Sequence, residues 1–143
     1  MTLTITRLSP HVPLPSYGTS GAAAFDLAAS TDTIVPPHAI ALVPTGLVVK
    51  VPEGHFLAIL ARSSTPLKRG LMVANGVGVI DSDYCGPADE VKIQVINVTD
   101  APVHVAAGDR IAQGMVLAAP RLVFVEAVAA DGPSRGGFGS TGR

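Results

Sequence analysis

Apolar and polar residues alternate along this chain in short runs, with almost no helical spacing. Val91-Lys92-Ile93-Gln94-Val95 alternates strictly, the period-two pattern of a strand with one buried face. Leu3-Thr4-Ile5-Thr6 repeats the pattern as a first strand, after which Pro10, Pro13 and Pro15 enforce an extended loop. Phe25-Asp26-Leu27 lies in a short apolar stretch ended by Ser30-Thr31-Asp32. The β-rich run from Ile40 to Val51 is interrupted at Pro44-Thr45-Gly46. It turns at Pro52-Glu53-Gly54 into His55–Ala61, which predicts a hairpin of the two. Val103–Ala106, Ile111–Leu117 and Leu122–Val128 follow as strands, separated by Gly108-Asp109 and Pro120. About eight strands at this spacing predict an all-β fold, a distorted antiparallel barrel or jelly roll.

One short helix is expected. Thr65 can cap it, Pro66 suits its first position and Gly70 its termination. Residues 132–143 carry five glycines and little that could form a core, so they read as a mobile glycine-rich arm beyond a domain spanning residues 1–131. A length of 143 residues fits one domain, and a net charge of −1 provides no basic field for nucleic acid. Phosphate recognition must therefore be local. No apolar run reaches ~18 residues, so no membrane span is expected. Met1-Thr-Leu-Thr-Ile lacks a signal-peptide pattern, and Cys85 is the single cysteine. The expected location is cytoplasmic. With 48% hydrophobic residues, the chain is apolar for a small domain, which points to surface covered by another subunit.

Candidate chemistry falls in five places. Arg62-Ser63-Ser64 precedes the short helix: either a surface arginine with a capping serine, or an anion site combining a guanidinium with helix N–H groups. Asn75 to Tyr84 is the densest polar and glycine stretch. Asn75 can donate and accept at a base edge, Gly78 allows close approach to a planar ligand, and Asp81 can serve as general base. The alternative there is a hairpin turn with solvated carboxylates. Asp26, between Phe25 and Leu27, needs a partner, a metal or a loop position. Asp109-Arg110 reads as a paired turn entering a strand, while Gln113 falls in phase with Ile111 on an apolar strand. Arg135 to Gly142 joins a flexible backbone with one cation, Phe138 and two hydroxyls, the parts of a lid over a nucleotide. His11, His38, His55 and His104 lack ligand spacing, so a protein-only zinc site is not expected.

Taken in order, Phe25-Asp26-Leu27, Ala61-Arg62-Ser63-Ser64, Asn75 through Gly86, Gly108 through Gln113 and Gly137 through Gly142 resemble the five motifs of the trimeric dUTPase family. The resemblance implies a jelly-roll barrel, a homotrimer with shared sites, and Mg²⁺-assisted hydrolysis of dUTP to dUMP and pyrophosphate. That reaction keeps uracil out of DNA and supplies dUMP for thymidylate synthesis. It also implies roles. Asn75 and the backbone around Gly78 would read uracil, Tyr84 would pack under deoxyribose, and Asp81 would activate the attacking water. Arg62, Ser63, Ser64 and Gln113 would contact phosphate, and Asp26 would support the water shell of Mg²⁺. Arg135, Phe138, Gly139 and Ser140 would act from the arm.

The chain departs from the family pattern in four places. Ala22-Ala23-Ala24 stands where Ser-Ala-Gly is usual, and Ser64 replaces a glycine. Pro87-Ala88-Asp89-Glu90 reads as an insertion of about three residues at a hairpin tip. Arg135 lies three residues before Phe138 rather than five. Two alternatives remain at this level: a dCTP deaminase-like relative, and a non-catalytic nucleotide-binding regulator on the same fold.

Overall fold

The computed structural model describes residues 1–137. They form antiparallel sheets around one core, as the alternation predicts. β1 (Thr4–Arg7) pairs with β5 (Leu47–Lys50), and β3 (Thr33–Val35) pairs with β10 (Val103–Val105). A four-stranded sheet runs β2 (Phe25–Ala28), β11 (Arg110–Ala118), β6 (His55–Ala61), β8 (Gly78–Ile80). A three-stranded sheet runs β4 (Ile40–Pro44), β9 (Lys92–Asn97), β7 (Leu71–Val73). Leu27, Val35, Val43, Leu57, Leu71, Ile93, Val105 and Ile111 fill the space between them, fully buried. The alternation read at Val91–Val95 holds, since Ile93 and Val95 point inward while Lys92 is exposed.

Several expectations about pairing are corrected. The β5–β6 hairpin does not form. His55 N–H closes a turn on Pro52 O at 3.1 Å, but β5 then pairs with β1 while β6 joins β11 and β8. The Pro52-Glu53-Gly54 turn carries the chain from one sheet to another, and such a corner has the same local signature as a hairpin tip. Pro87–Glu90 is likewise a crossing between sheets and not a hairpin tip, because β8 pairs with β6 and β9 with β4 and β7. Leu122–Val128 forms no strand. No sheet edge among the described residues takes it up, and Leu122, Val123, Phe124, Val125 and Val128 stand exposed.

The helix is α1 (Ser64–Arg69), and its cap lies two residues earlier than expected. Ser63 occupies the N-cap position, while Thr65 is buried and donates its hydroxyl to Ile111 O at 2.9 Å. Gly70 closes the helix as expected, left-handed at φ 63°, with its N–H on Pro66 O at 3.0 Å. The Thr65 bond moors α1 to the start of β11.

Candidate active site

β11 carries a bulge between Arg110 and Ala112: Arg110 opposes Ala28, Ala112 opposes Leu27 and Gln113 opposes Asp26. The extra residue lets Ile111 and Ala112 both enter the core, so Gln113 is not in phase with Ile111 as the sequence implied. It stands instead on the opposite face, across from Asp26, with its Nε2 donating to Ala61 O at 3.0 Å. The bulge also redirects Arg110. No Asp109–Arg110 pair forms: Asp109 takes Arg69 at 2.7 Å, and Arg110 reaches Asp26.

Asp26 is the centre of this cluster. Its Oδ1 lies 2.8 Å from Arg62 Nε and its Oδ2 lies 3.0 Å from Arg110 Nη1. Arg62 Nη1 also donates to Arg110 O at 2.9 Å, which ties the start of β11, just before the bulge, to the end of β6. The half-buried carboxylate is thus compensated at both oxygens. Around it, Asp26, Arg62, Ser63, Ser64 and Gln113 line a cleft of about 280 Å³ together with Gly18, Thr19, Ala22 and Ala24. Ser63 makes no side-chain capping bond, so its hydroxyl is not spent on the helix. Ser64 is helical, a backbone state that needs no glycine. Arg110 was missed from the sequence, and its signal was there: two successive apolar residues, Ile111-Ala112, interrupt the period of two.

The second group of expected residues lies elsewhere. Asn75 is exposed on a turn in which Gly76 N–H meets Val73 O at 3.0 Å. This turn links β7 to β8, strands that belong to different sheets, and so is not a hairpin tip either. Among the described residues β8 is the edge of its sheet, with no strand partner on one side of its backbone. Gly78 opposes Ile59, and a Cβ there would stand 3.0 Å from Ile59 Cβ. Its missing side chain therefore serves the core. Asp81 is exposed in a cleft of about 610 Å³ with Asp83, Glu53, His55, Phe56 and Arg121. Tyr84 follows, its N–H on Asp81 O at 3.2 Å and its hydroxyl on Glu90 O at 3.4 Å.

Asp81 and Arg62 sit at opposite ends of β6, while Gly78 lies between them opposite Ile59. Ile80 opposes Leu57, so Asp81 leaves β8 at the level of Phe56, whereas Arg62 follows Ala61 at the far end. Six residue steps separate those levels, roughly 20 Å of strand. Within one chain, the carboxylate proposed for the water and the guanidinium proposed for phosphate are too far apart to serve one triphosphate. Arg135 lies on the exposed segment after β11 and lines neither cleft. Phe138, Gly139 and Ser140 lie outside the described residues. No group of three or more His, Cys, Asp or Glu placed to hold a metal occurs among the described residues. No helix there is long and apolar enough to cross a membrane.

The dUTPase family model matches residues 10–142. A deoxyuridine 5'-triphosphate nucleotidohydrolase of Wolinella succinogenes is 41% identical over 145 aligned positions, covering 100% of this chain and 95% of its own. Among solved structures, a dUTPase from Streptococcus mutans superposes with a TM-score of 0.78 at 33% identity, covering 87% of this chain and 100% of its own. A Staphylococcus bacteriophage 80alpha dUTPase with dUPNHPP shares the fold alone, with a TM-score of 0.82 at 23% identity over 99% of this chain and 98% of its own. With the antiparallel fold, the Asp26–Arg62–Gln113 cluster and this match over the whole length, the chain belongs to the dUTPase family, and dUTP hydrolysis is its activity.

Proposed function

We propose that dUTP is hydrolysed in sites shared between subunits of a homotrimer, with the phosphate-binding cluster of one subunit facing Asp81 of another. The observation that carries this reading is the separation of Asp81 from Arg62 along β6, which a neighbouring copy would close. Exposed apolar surface supports the assembly. Ile40 and Met72 flank Ile96 across the three-stranded sheet, and Leu122, Val123, Phe124 and Val125 are bare. Apolar side chains exposed together in this way mark an interaction surface.

In this mechanism Asp81 accepts a proton from water as its oxygen attacks phosphorus, the α–β phosphoanhydride breaks, and pyrophosphate leaves with dUMP behind. Arg62, Ser63, Ser64 and Gln113 hold the phosphates, and Arg62 turns from Asp26 to do so while Arg110 keeps that carboxylate paired. Mg²⁺ would offset phosphate charge. Asp26 would help hold it through water, because each carboxylate oxygen already accepts from an arginine and retains capacity for one further donor. Asn75 and the unpaired edge of β8 at Gly78 read uracil. Cytosine would leave that edge mismatched, the kind of loss that discriminates strongly. Tyr84 packs under deoxyribose. Residues 132–143 form a lid over the domain of residues 1–131, with Phe138 on the base and Arg135, Gly139 and Ser140 towards phosphate. Cytoplasmic action is consistent with the free Cys85.

The test is pyrophosphate release with Mg²⁺ from dUTP, dCTP, dTTP and UTP. dUTP should be turned over far faster than the others. Asp81→Asn should bind nucleotide yet lose at least ~10²-fold in rate, and deletion of 132–143 should lower kcat far more than affinity. Comparable turnover of dCTP, or an unimpaired Asn variant, contradicts the mechanism.

A further inference from the structure

The connection from β8 to β9 contains Pro87–Glu90, read as an insertion of about three residues, and its last residue accepts the Tyr84 hydroxyl. Asp89 Oδ2 accepts the Gly86 N–H at 2.7 Å, and the Asp89 N–H donates back to Gly86 O at 3.0 Å, so the loop is closed on itself. Its far end is anchored to the core. Glu90 Oε1 accepts the Gly46 N–H at 2.8 Å, Val91 N–H donates to Leu47 O at 2.8 Å, and buried Thr45 donates its hydroxyl to Val91 O at 2.6 Å. Gly46 is left-handed at φ 67°, and a Cβ there would stand 2.5 Å from Val12 Cγ2, so this anchor point has little room to shift. The Glu90 carbonyl is therefore fixed relative to the barrel, and it accepts the Tyr84 hydroxyl. At the other end, the Tyr84 N–H holds Asp81 O. The ring spans two defined points.

We propose that the Gly86–Glu90 loop braces Tyr84 and thereby sets the discrimination between deoxyribose and ribose, with Asp89 as the positioning residue. The proposal rests on the reading that Tyr84 packs under the sugar. A 2′-hydroxyl is refused by contact with the ring only if the ring cannot retreat, and the Tyr84–Glu90 bond alone is long and weak at 3.4 Å. Closure of the loop by Asp89 limits how far Glu90 and Gly86 can move apart, and so limits that retreat. Without it, the gap under the sugar opens and UTP gains while dUTP is little affected.

The experiment measures kcat/KM for dUTP and UTP in the full-length protein carrying Asp89→Ala, Asp89→Asn, Tyr84→Phe or Tyr84→Ala. Asp89→Ala should lower the dUTP:UTP ratio by about fivefold, the scale of one lost hydrogen bond. Asp89→Asn, whose amide oxygen can still accept from Gly86, should restore most of the ratio. Tyr84→Phe removes the Glu90 contact without touching the loop and should also lower the ratio, which keeps the test open if Asp89→Ala folds poorly. A purely structural role would depress both nucleotides equally. An unchanged ratio in Asp89→Ala or Tyr84→Phe, with the ratio abolished in Tyr84→Ala, overturns the brace. An unchanged ratio in Tyr84→Ala overturns the placement of Tyr84 under the sugar, and the brace with it.

Discussion

At the scale of single residues, the site is held by carboxylates that each serve more than one donor. Asp26 bridges Arg62 and Arg110, and Asp109 takes both the Ala106 N–H at 2.9 Å and Arg69 at 2.7 Å. The Ala106 N–H, then the Arg69 guanidinium and nearby His104, hold the Asp109 carboxyl below the usual carboxylate range against the opposing effect of burial. A carboxyl whose pKa is lower in the folded than in the unfolded chain adds stability at neutral pH. That contribution is lost as pH falls through the ordinary carboxylate range towards the depressed value. Thermal denaturation between about pH 6 and about pH 3 should therefore show a shallower acid loss in Asp109→Asn than in the parent. Parallel curves for the two proteins would contradict this role. Because Asp109 sits at the turn into β11, the same ion pair steadies the strand that presents Arg110 and Gln113.

At the scale of elements, alternation in sequence located most strands but not their partners. β9 was legible because one face is buried and the other is not. The β5–β6 corner was not, since local turn chemistry is the same whether the chain returns beside itself or crosses to another sheet. The bulge in β11 hid Arg110 and misplaced Gln113, as one extra residue inverts every later side chain. Asp26, Arg62, Ser63, Ser64 and Gln113 nevertheless line one cleft, a long-range grouping that the resemblance implies and that periodicity lacks. Gly114 shows the same limit. Read locally it weakens β11, yet a Cβ there would stand 2.5 Å from Phe25 Cε2 and 3.0 Å from Leu57 Cδ1. The Phe25 ring, set edge-on to Tyr17 with centroids 5.8 Å apart, occupies the space the glycine leaves. Gly114→Ala should lower unfolding stability in urea by about 1–3 kcal/mol. An unchanged midpoint would mean that Phe25 reseats without cost.

At the scale of the whole molecule, one chain carries Arg62 and Asp81 at opposite ends of β6 and a set of bare apolar side chains. A heterologous interface repeated around a threefold axis would bring the Arg62 end of one copy to the Asp81 end of the next and close the ring. The apolar surplus noted in the composition then has a use, as surface covered between copies. The most direct measurement mixes Arg62→Ala and Asp81→Asn subunits in equal amounts under exchange conditions and follows pyrophosphate release from dUTP. Each variant alone should be nearly inactive. Random assembly leaves about a quarter of shared sites with neither lesion, so activity should recover towards about a quarter of the parent value. Activity that stays at the sum of the two separate variants, or a protein that sediments as a monomer at micromolar concentration, would contradict a site built between subunits.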